Sequence, residues 1–198
     1  MVIVSRVFLL ICLLLSCVSA SAAPILSLEP QSQPAVPAGE QIAFDLIISG
    51  LGGPGESPSL GGYQISIDYL PNLVYVDTIF GDPLLGDQLS VTGAGSAQVA
   101  IPFPEGLFLF GLSFETPQDV VTFQAPAFRI AQLIFTVGVE GPTTVNPVNV
   151  ILADEIGNPI DAEIRGALIG IPEPGTALSL LGGLACLPLL RVWRRGRK

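Results

Sequence analysis

The chain has 198 residues, 49% hydrophobic and 13% charged, and contains no histidine, which excludes Ser-His-Asp and Cys-His catalysis, histidine-ligated metals and histidine pH switches. Its 17 acidic residues run from Glu29 to Glu173, where Arg129 and Arg165 are the only cations, so Pro24 to Pro174 carries −15. A body of that charge has nothing with which to neutralise phosphates, which excludes a nucleic-acid partner.

The N-terminus reads as an export signal. Arg6 precedes an apolar run from Val7 to Leu15, and small residues follow from Ser16 to Ala23. That order is the n-region, h-region and cleavage region of a secretory signal peptide, assigned to residues 1–22, with signal peptidase as its partner. Val18 and Ala20 place small residues where the peptidase reads them, so cleavage after Ala20 fits, and cleavage after Ala22 is the alternative. A rival reading takes Leu14-Leu15-Ser16-Cys17 as a lipobox with Cys17 lipidated, although Leu15 is bulky for such a site. Cys12 and Cys17 fall in this leader and Cys186 near the other end, so an exported body without disulfides must rest on its own core.

Residues 24–170 form one domain in which alternation dominates. Expected strands are Ile25–Glu29, Gln41–Ile48, Tyr63–Tyr69, Leu73–Phe80, Gln88–Val91, Ala97–Phe103, Leu107–Phe114, Ile130–Val139, Val148–Ala153 and Pro159–Ile164. Ile42, Phe44, Leu46 and Ile48 share one face of their strand, as do Tyr63, Ile65, Ile67 and Tyr69, whereas Leu73–Phe80 is apolar on both sides. Turn chemistry separates them at Gly50–Gly62, Gly81-Asp82-Pro83, Gly93–Ser96, Gly141-Pro142 and Gly157-Asn158-Pro159. Glu115–Phe128 fits either a β-flap or a helical turn. The pattern predicts an all-β fold, an antiparallel β-sandwich or jelly roll of about nine strands, without internal repeats or a second domain.

The body resembles a cohesin-like or carbohydrate-binding-module type of sandwich in the order of its stretches. Pro37-Ala38-Gly39-Glu40 opens an alternating strand, and after a Gly-rich loop Gly61 to Tyr69 runs into Leu70-Pro71-Asn72-Leu73-Val74-Tyr75-Val76. This is similar to the Tyr-Asp-Pro turn of cohesins, with Leu70 where that family usually has Asp. Ile130 to Val137 resembles the family's long alternating strand, and Val148 to Pro159 its closing strand with an acidic loop, here Asp154-Glu155. The resemblance implies a non-catalytic binding module, since cohesins bind dockerins through one sheet face; the dockerin-contacting residues do not transfer onto this chain.

Residues with chemistry to offer are few. Asp154-Glu155 and Asp161-Glu163 are the densest carboxylates a glycosidase could use, but both flank the turn at Gly157-Asn158-Pro159. Gly81 to Asp87 offers oxygens without the ordered ligand spacing of a calcium loop, so turn chemistry is expected there. Phe103, Phe108, Phe110, Phe114, Phe123 and Phe128 could build a sugar-stacking platform, but their strand suits core packing better. No catalytic residue, metal site or cofactor is expected.

The C-terminus has three parts. Pro172-Glu173-Pro174 precedes an apolar segment, and Arg191, Arg194, Arg195, Arg197 and Lys198 form a basic end. Thr176 to Trp193 is 18 residues, about 27 Å as a helix, just enough to cross a bilayer core with the basic tail (191–198) on the cytoplasmic side. These parts, over residues 171–198, resemble the PEP-CTERM sorting signal of exported proteins in Gram-negative bacteria that make extracellular polysaccharide. The resemblance implies recognition and cleavage by an exosortase, transient residence in the inner membrane, and delivery to the cell surface or extracellular matrix. The expected function is a non-catalytic binding or structural module with a dockerin-like protein as one partner; the alternative is a carbohydrate-binding module for the extracellular polysaccharide.

Overall fold

The computed structural model describes residues 23–104, 106–139 and 141–170. Among the described residues eleven strands and one short helix follow one another: β1 (Ile25–Glu29), β2 (Ser32–Gln33), β3 (Gln41–Ser49), β4 (Gly62–Tyr69), β5 (Leu73–Phe80), β6 (Ser96–Phe103), β7 (Gly106–Ser113), α1 (Pro117–Phe123), β8 (Ala127–Val137), β9 (Thr143–Ala153), β10 (Glu163–Arg165) and β11 (Ala167–Ile169). They form a five-stranded sheet ordered β10-β1-β3-β8-β5 and a six-stranded sheet ordered β2-β11-β9-β4-β7-β6.

The alternation of the sequence is the alternation of burial. Ile42, Phe44, Leu46 and Ile48 point from β3 into the core, opposed by Tyr63, Ile65, Ile67 and Tyr69 from β4. At the centre the Phe135 ring takes Tyr69 edge-on at 5.0 Å and Tyr75 at 6.2 Å, an arrangement that aligns ring edges with ring faces. The double-sided apolar character of β5 follows from a bulge between Tyr75 and Asp77. Leu73 and Tyr75 face inward before it and Phe80 after it, leaving Val74 and Ile79 outside.

Pairing departs from the expected antiparallel pattern at the two ends of the described body. β1 runs parallel to β10, with Ile25 opposite Glu163, and β2 parallel to β11, with Leu168 opposite Ser32. Both terminal segments thus pass from one sheet to the other side by side and close one flank of the sandwich. The second passage bends at Gly166, where an added Cβ would lie 2.9 Å from the Val145 carbonyl oxygen. Because the two segments run parallel, the body is entered beside Gly50 and left beside Gly141-Pro142, at opposite ends.

Two boundaries also differ, and of the two readings of Glu115–Phe128 the helical turn is the one found. Gln88–Val91 is a turn, because Asp87 Oδ1 accepts from the Leu89 amide at 2.9 Å and draws the chain into an Asx turn. Glu115–Phe128 contains α1, capped by Thr116 Oγ1 accepting from Asp119 N and begun by Pro117. β9 starts at Thr143 instead of Val148 and carries Pro147 inside it. That proline is tolerated because β11 pairs only as far as Val145, so nothing on that side needs the missing N–H.

Candidate functional site

The outer face of the six-stranded sheet is built in rows across β6, β7, β4 and β9. One row is Val99, Phe110, Gln64 and Ile151, and the next is Ile101, Phe108, Ser66 and Val148. Leu107 and Leu109 occupy the interior, so the even-numbered residues of β7 must face outward. Ile101 is 52% and Ile151 56% exposed, and Phe108 and Phe110 are half-buried between them. A bulge in β9 helps to make this face. Asn149 takes φ 48°, and the register shift there lets both Val148 and Ile151 point outward while Val150 and Leu152 return to the core.

The opposite outer face is different in kind. On the five-stranded sheet Asp45 Oδ1 accepts from Arg129 Nη1 at 3.1 Å and from Gln132 Nε2 at 2.9 Å, and Arg129 Nε donates to the Gly81 carbonyl at 3.0 Å. Its polar groups satisfy one another, and its exposed apolar side chains lie on the edge strands, Val74, Val76 and Ile79 on β5 and Ile164 on β10. The six-stranded sheet instead offers water an apolar patch on β6 and β7, with Val99, Ile101, Phe108, Phe110 and Leu112, separated from Val148 and Ile151 of β9 by the polar Gln64 and Ser66 of β4; an exposed apolar patch is the type of surface that marks an interaction site.

At the exit end of that surface lies a last row of Phe103, Gly106, Asp68 and Asn146. Phe103 lies across Gly106, whose added Cβ would come within 2.2 Å of the ring. A recess of about 430 Å³ opens there, lined by Asp68, Leu70, Pro71, Phe103, Thr144 and Asn146.

Solved structures to which this chain is similar include cohesins. The non-cellulosomal cohesin of the archaeon Archaeoglobus fulgidus matches with a TM-score of 0.52 at 12% identity, covering 80% of this chain and 98% of that one. The sixth cohesin of Acetivibrio cellulolyticus scaffoldin B, solved in complex with the Cel5 dockerin, matches with a TM-score of 0.57 at 13% identity, covering 76% and 100%. The cohesin module of a Clostridium perfringens family 33 glycoside hydrolase gives 0.52 at 9% identity, covering 74% and 93%. The body has the cohesin fold. No protein-family model matches the sequence, and no curated protein matches it.

Within this cohesin fold the carboxylates singled out in the sequence serve turns. Asp82 Oδ1 accepts from the Leu84 and Leu85 amides, and Oδ2 from the Arg129 amide at 3.0 Å. Burial pushes this carboxyl up, but those amides and the Arg129 guanidinium outweigh burial and hold it below the ordinary value. Asp154 is lowered in the same way: burial raises it, and the Asn158 side chain with the Asn158, Ile156 and Gly157 amides overcomes that. Glu155 accepts from Ser57 Oγ and, at 3.1 Å, from the Ser59 amide, tying two loops together. Glu163 pairs with Arg165 at 2.8 Å, and Asp161 is exposed. These acids are not gathered around a common cleft, and among the described residues no three His, Cys, Asp or Glu converge as a metal site.

The aromatic expectation is corrected. Phe128 is buried, but Phe103, Phe114 and Phe123 are exposed, and Phe108 and Phe110 lie on the outer face. The cause is parity: Leu107, Leu109 and Gly111 take the interior positions of β7. In the sequence 107–114 is apolar at positions of both parities, whereas 97–103 alternates, with Val99, Ile101 and Phe103 on one face and Gln98, Ala100 and Pro102 on the other.

Ala20, Ala22, Cys17, Pro172, Glu173, Pro174, Arg191, Arg194, Arg195, Arg197 and Lys198 lie outside the described residues, as does the segment 176–193. Among the described residues no helix is long and apolar enough to cross a membrane.

Proposed function

We propose that this chain is an exported cell-surface or extracellular-matrix protein whose cohesin-fold body is a non-catalytic docking module. The observation that carries the reading is the exposed apolar patch on the outer face of β6 and β7, whereas the middle of the other sheet is covered by the Asp45–Arg129–Gln132 network. The Acetivibrio cohesin in complex with a dockerin supports a dockerin-like protein as the partner. The body's charge of −15 calls for a partner whose apolar patch is rimmed by Lys and Arg, since such complementarity speeds encounter and rejects acidic proteins. Signal peptidase removes the leader at Ala20 or Ala22. An exosortase then recognises Pro172-Glu173-Pro174 while 176–193 holds the chain in the inner membrane, with Arg191, Arg194, Arg195, Arg197 and Lys198 inside. The prolines keep Glu173 out of any helix and open to the protease.

The test has two arms. The full chain with an internal tag is produced in an exosortase-positive host and in its exosortase deletion strain, and the mass of the extracellular form is measured. Loss of the tail from about Gly175 in the first strain alone supports sorting, whereas a tail retained in both strains refutes it. For docking, a photo-crosslinking residue at Ile101 should yield a discrete adduct on the producing cells, and one at Thr136 on the opposite sheet should not.

A second reading, binding of the producer's extracellular polysaccharide, is favoured by one observation: the open Phe103 ring beside Asp68 and Asn146.

A further inference from the structure

The recess at the exit end combines one flat apolar element with polar groups of three kinds. Phe103 ends β6, and its ring lies against the Gly106 backbone, because a Cβ at Gly106 would overlap Cε2 and Cζ at 2.2 Å. One ring face is thereby fixed on the sheet; with the residue 43% exposed, the other faces solvent. Asp68 and Asn146 occupy the same row on the next strands, both exposed, and Thr144 stands two residues from Asn146 on the same face of β9. The Asn146 amide is seated as well, since an added Cβ at Gly166 would lie 2.2 Å from its Oδ1. The row crosses four strands, about 14 Å at the ordinary strand spacing. The recess of about 430 Å³ falls within the roughly 300–1,000 Å³ of small-ligand clefts, which likewise pair apolar walls with a few placed polar groups.

We propose that this recess is a saccharide subsite for a neutral, β-linked pyranose chain. A pyranose with equatorial substituents has a face of C–H bonds, whose positive edge is attracted to the negative face of the Phe103 ring. The hydroxyls of the stacked sugar then lie towards β4, where the Asp68 carboxylate accepts them, and the next sugar along the row meets the Asn146 amide and Thr144 hydroxyl, which both donate and accept. The carboxylate and the acidic body repel uronates and sulfated sugars, which sets the class as neutral. A β-linked chain is extended and flat enough to follow the row. This inference rests on the polysaccharide reading and assigns it a place distinct from the apolar rows.

The experiment uses the full chain in micelles of a sugar-free detergent, titrated calorimetrically with cellohexaose, β-(1→4)-mannohexaose and chitohexaose, and with β-(1→4)-linked hexamannuronate as the anionic comparison. At least one neutral hexasaccharide should bind, with hexamannuronate silent. Phe103→Ala and Asp68→Ala should each weaken it by roughly tenfold or more, and Ile101→Ala should leave it unchanged. Asp68→Asn keeps the shape of the exposed side chain and should also weaken binding while far-UV circular dichroism stays constant. Binding that survives both Phe103→Ala and Asp68→Asn places the sugar elsewhere and overturns the subsite while sparing the polysaccharide reading. No binding of any neutral hexasaccharide overturns both. Equal loss in Ile101→Ala moves the ligand onto the apolar rows, and equal binding of hexamannuronate overturns the neutral class.

Discussion

The side chain of Gln124 reaches across to the backbone of Gln88: its Nε2 donates to the Gln88 carbonyl at 2.8 Å, while Gln88 Oε1 accepts from the Ala125 amide at 2.9 Å. Gln124 also accepts from the Leu60 amide at 2.6 Å and donates to the Leu60 carbonyl at 2.9 Å. Two buried glutamines therefore bind three loops into one end of the sandwich, where cysteines are absent. Gln124→Ala leaves the Leu60 N–H and two carbonyls buried without partners, at about 2–3 kcal/mol. Thermal unfolding should show a midpoint lower by roughly 5–10 °C. A change below one degree would mean that water replaces the amide without loss.

A second constraint acts through backbone contact. Gly61 N donates to the Ala153 carbonyl and its own carbonyl accepts from Ser113 N, both at 2.9 Å. A Cβ here would stand 2.3 Å from the Asp154 carbonyl oxygen, which belongs to backbone and cannot rotate away. Gly61→Ala should therefore force two strand ends apart and cost about 3 kcal/mol in urea unfolding. A wild-type midpoint would show that the Asp154 loop moves freely.

The core was legible from alternation alone, because β3 and β4 are each buried on one face and a period of two needs only one sequence to be seen. The outer face was not. The segment 107–114 is apolar at both parities, so hydrophobicity by itself does not say which set faces water, and 97–103 turns its more apolar set, Val99, Ile101 and Phe103, outward; the bulge at Asn149, which carries Val148 and Ile151 outward together, leaves no mark in a periodicity count. The parallel pairing of β1 with β10 and β2 with β11 also escaped, since three-residue and two-residue strands are too short to show a period. The recess illustrates the same limit: Asp68, Phe103 and Asn146 are distant in sequence, and strand register alone makes them neighbours.

If the face of β6 and β7 is a docking surface, its residues should be dispensable for the fold. Ile101→Lys replaces a half-exposed side chain with one that keeps its charge in water, so stability should change by no more than about 0.5 kcal/mol. The same variant should abolish the crosslink obtained from a neighbouring position such as Val99. Loss of the fold together with the crosslink would make these side chains structural.

The depressed Asp82 carboxyl makes a prediction about pH whose sign can be fixed. Its ordinary value is 3.8 and folding lowers it, so the unfolded chain takes up the proton first. The stabilisation is therefore complete above the ordinary value and is lost as pH falls through the folded one. General repulsion in a body of −15 has the opposite sense, since acidification relieves it, and the wild-type profile mixes the two effects. Asp82→Asn separates them. At pH 7 the variant keeps an oxygen for the Leu84 and Leu85 amides but turns an NH₂ towards the Arg129 amide, which should cost about 1–2 kcal/mol. That deficit should hold down to about pH 4 and shrink below it, because the wild-type carboxyl then becomes neutral as well. Urea titrations of both proteins from pH 7 to pH 2.5 measure the difference directly; a deficit that stays constant to the lowest pH would show that the Asp82 charge contributes nothing to the fold.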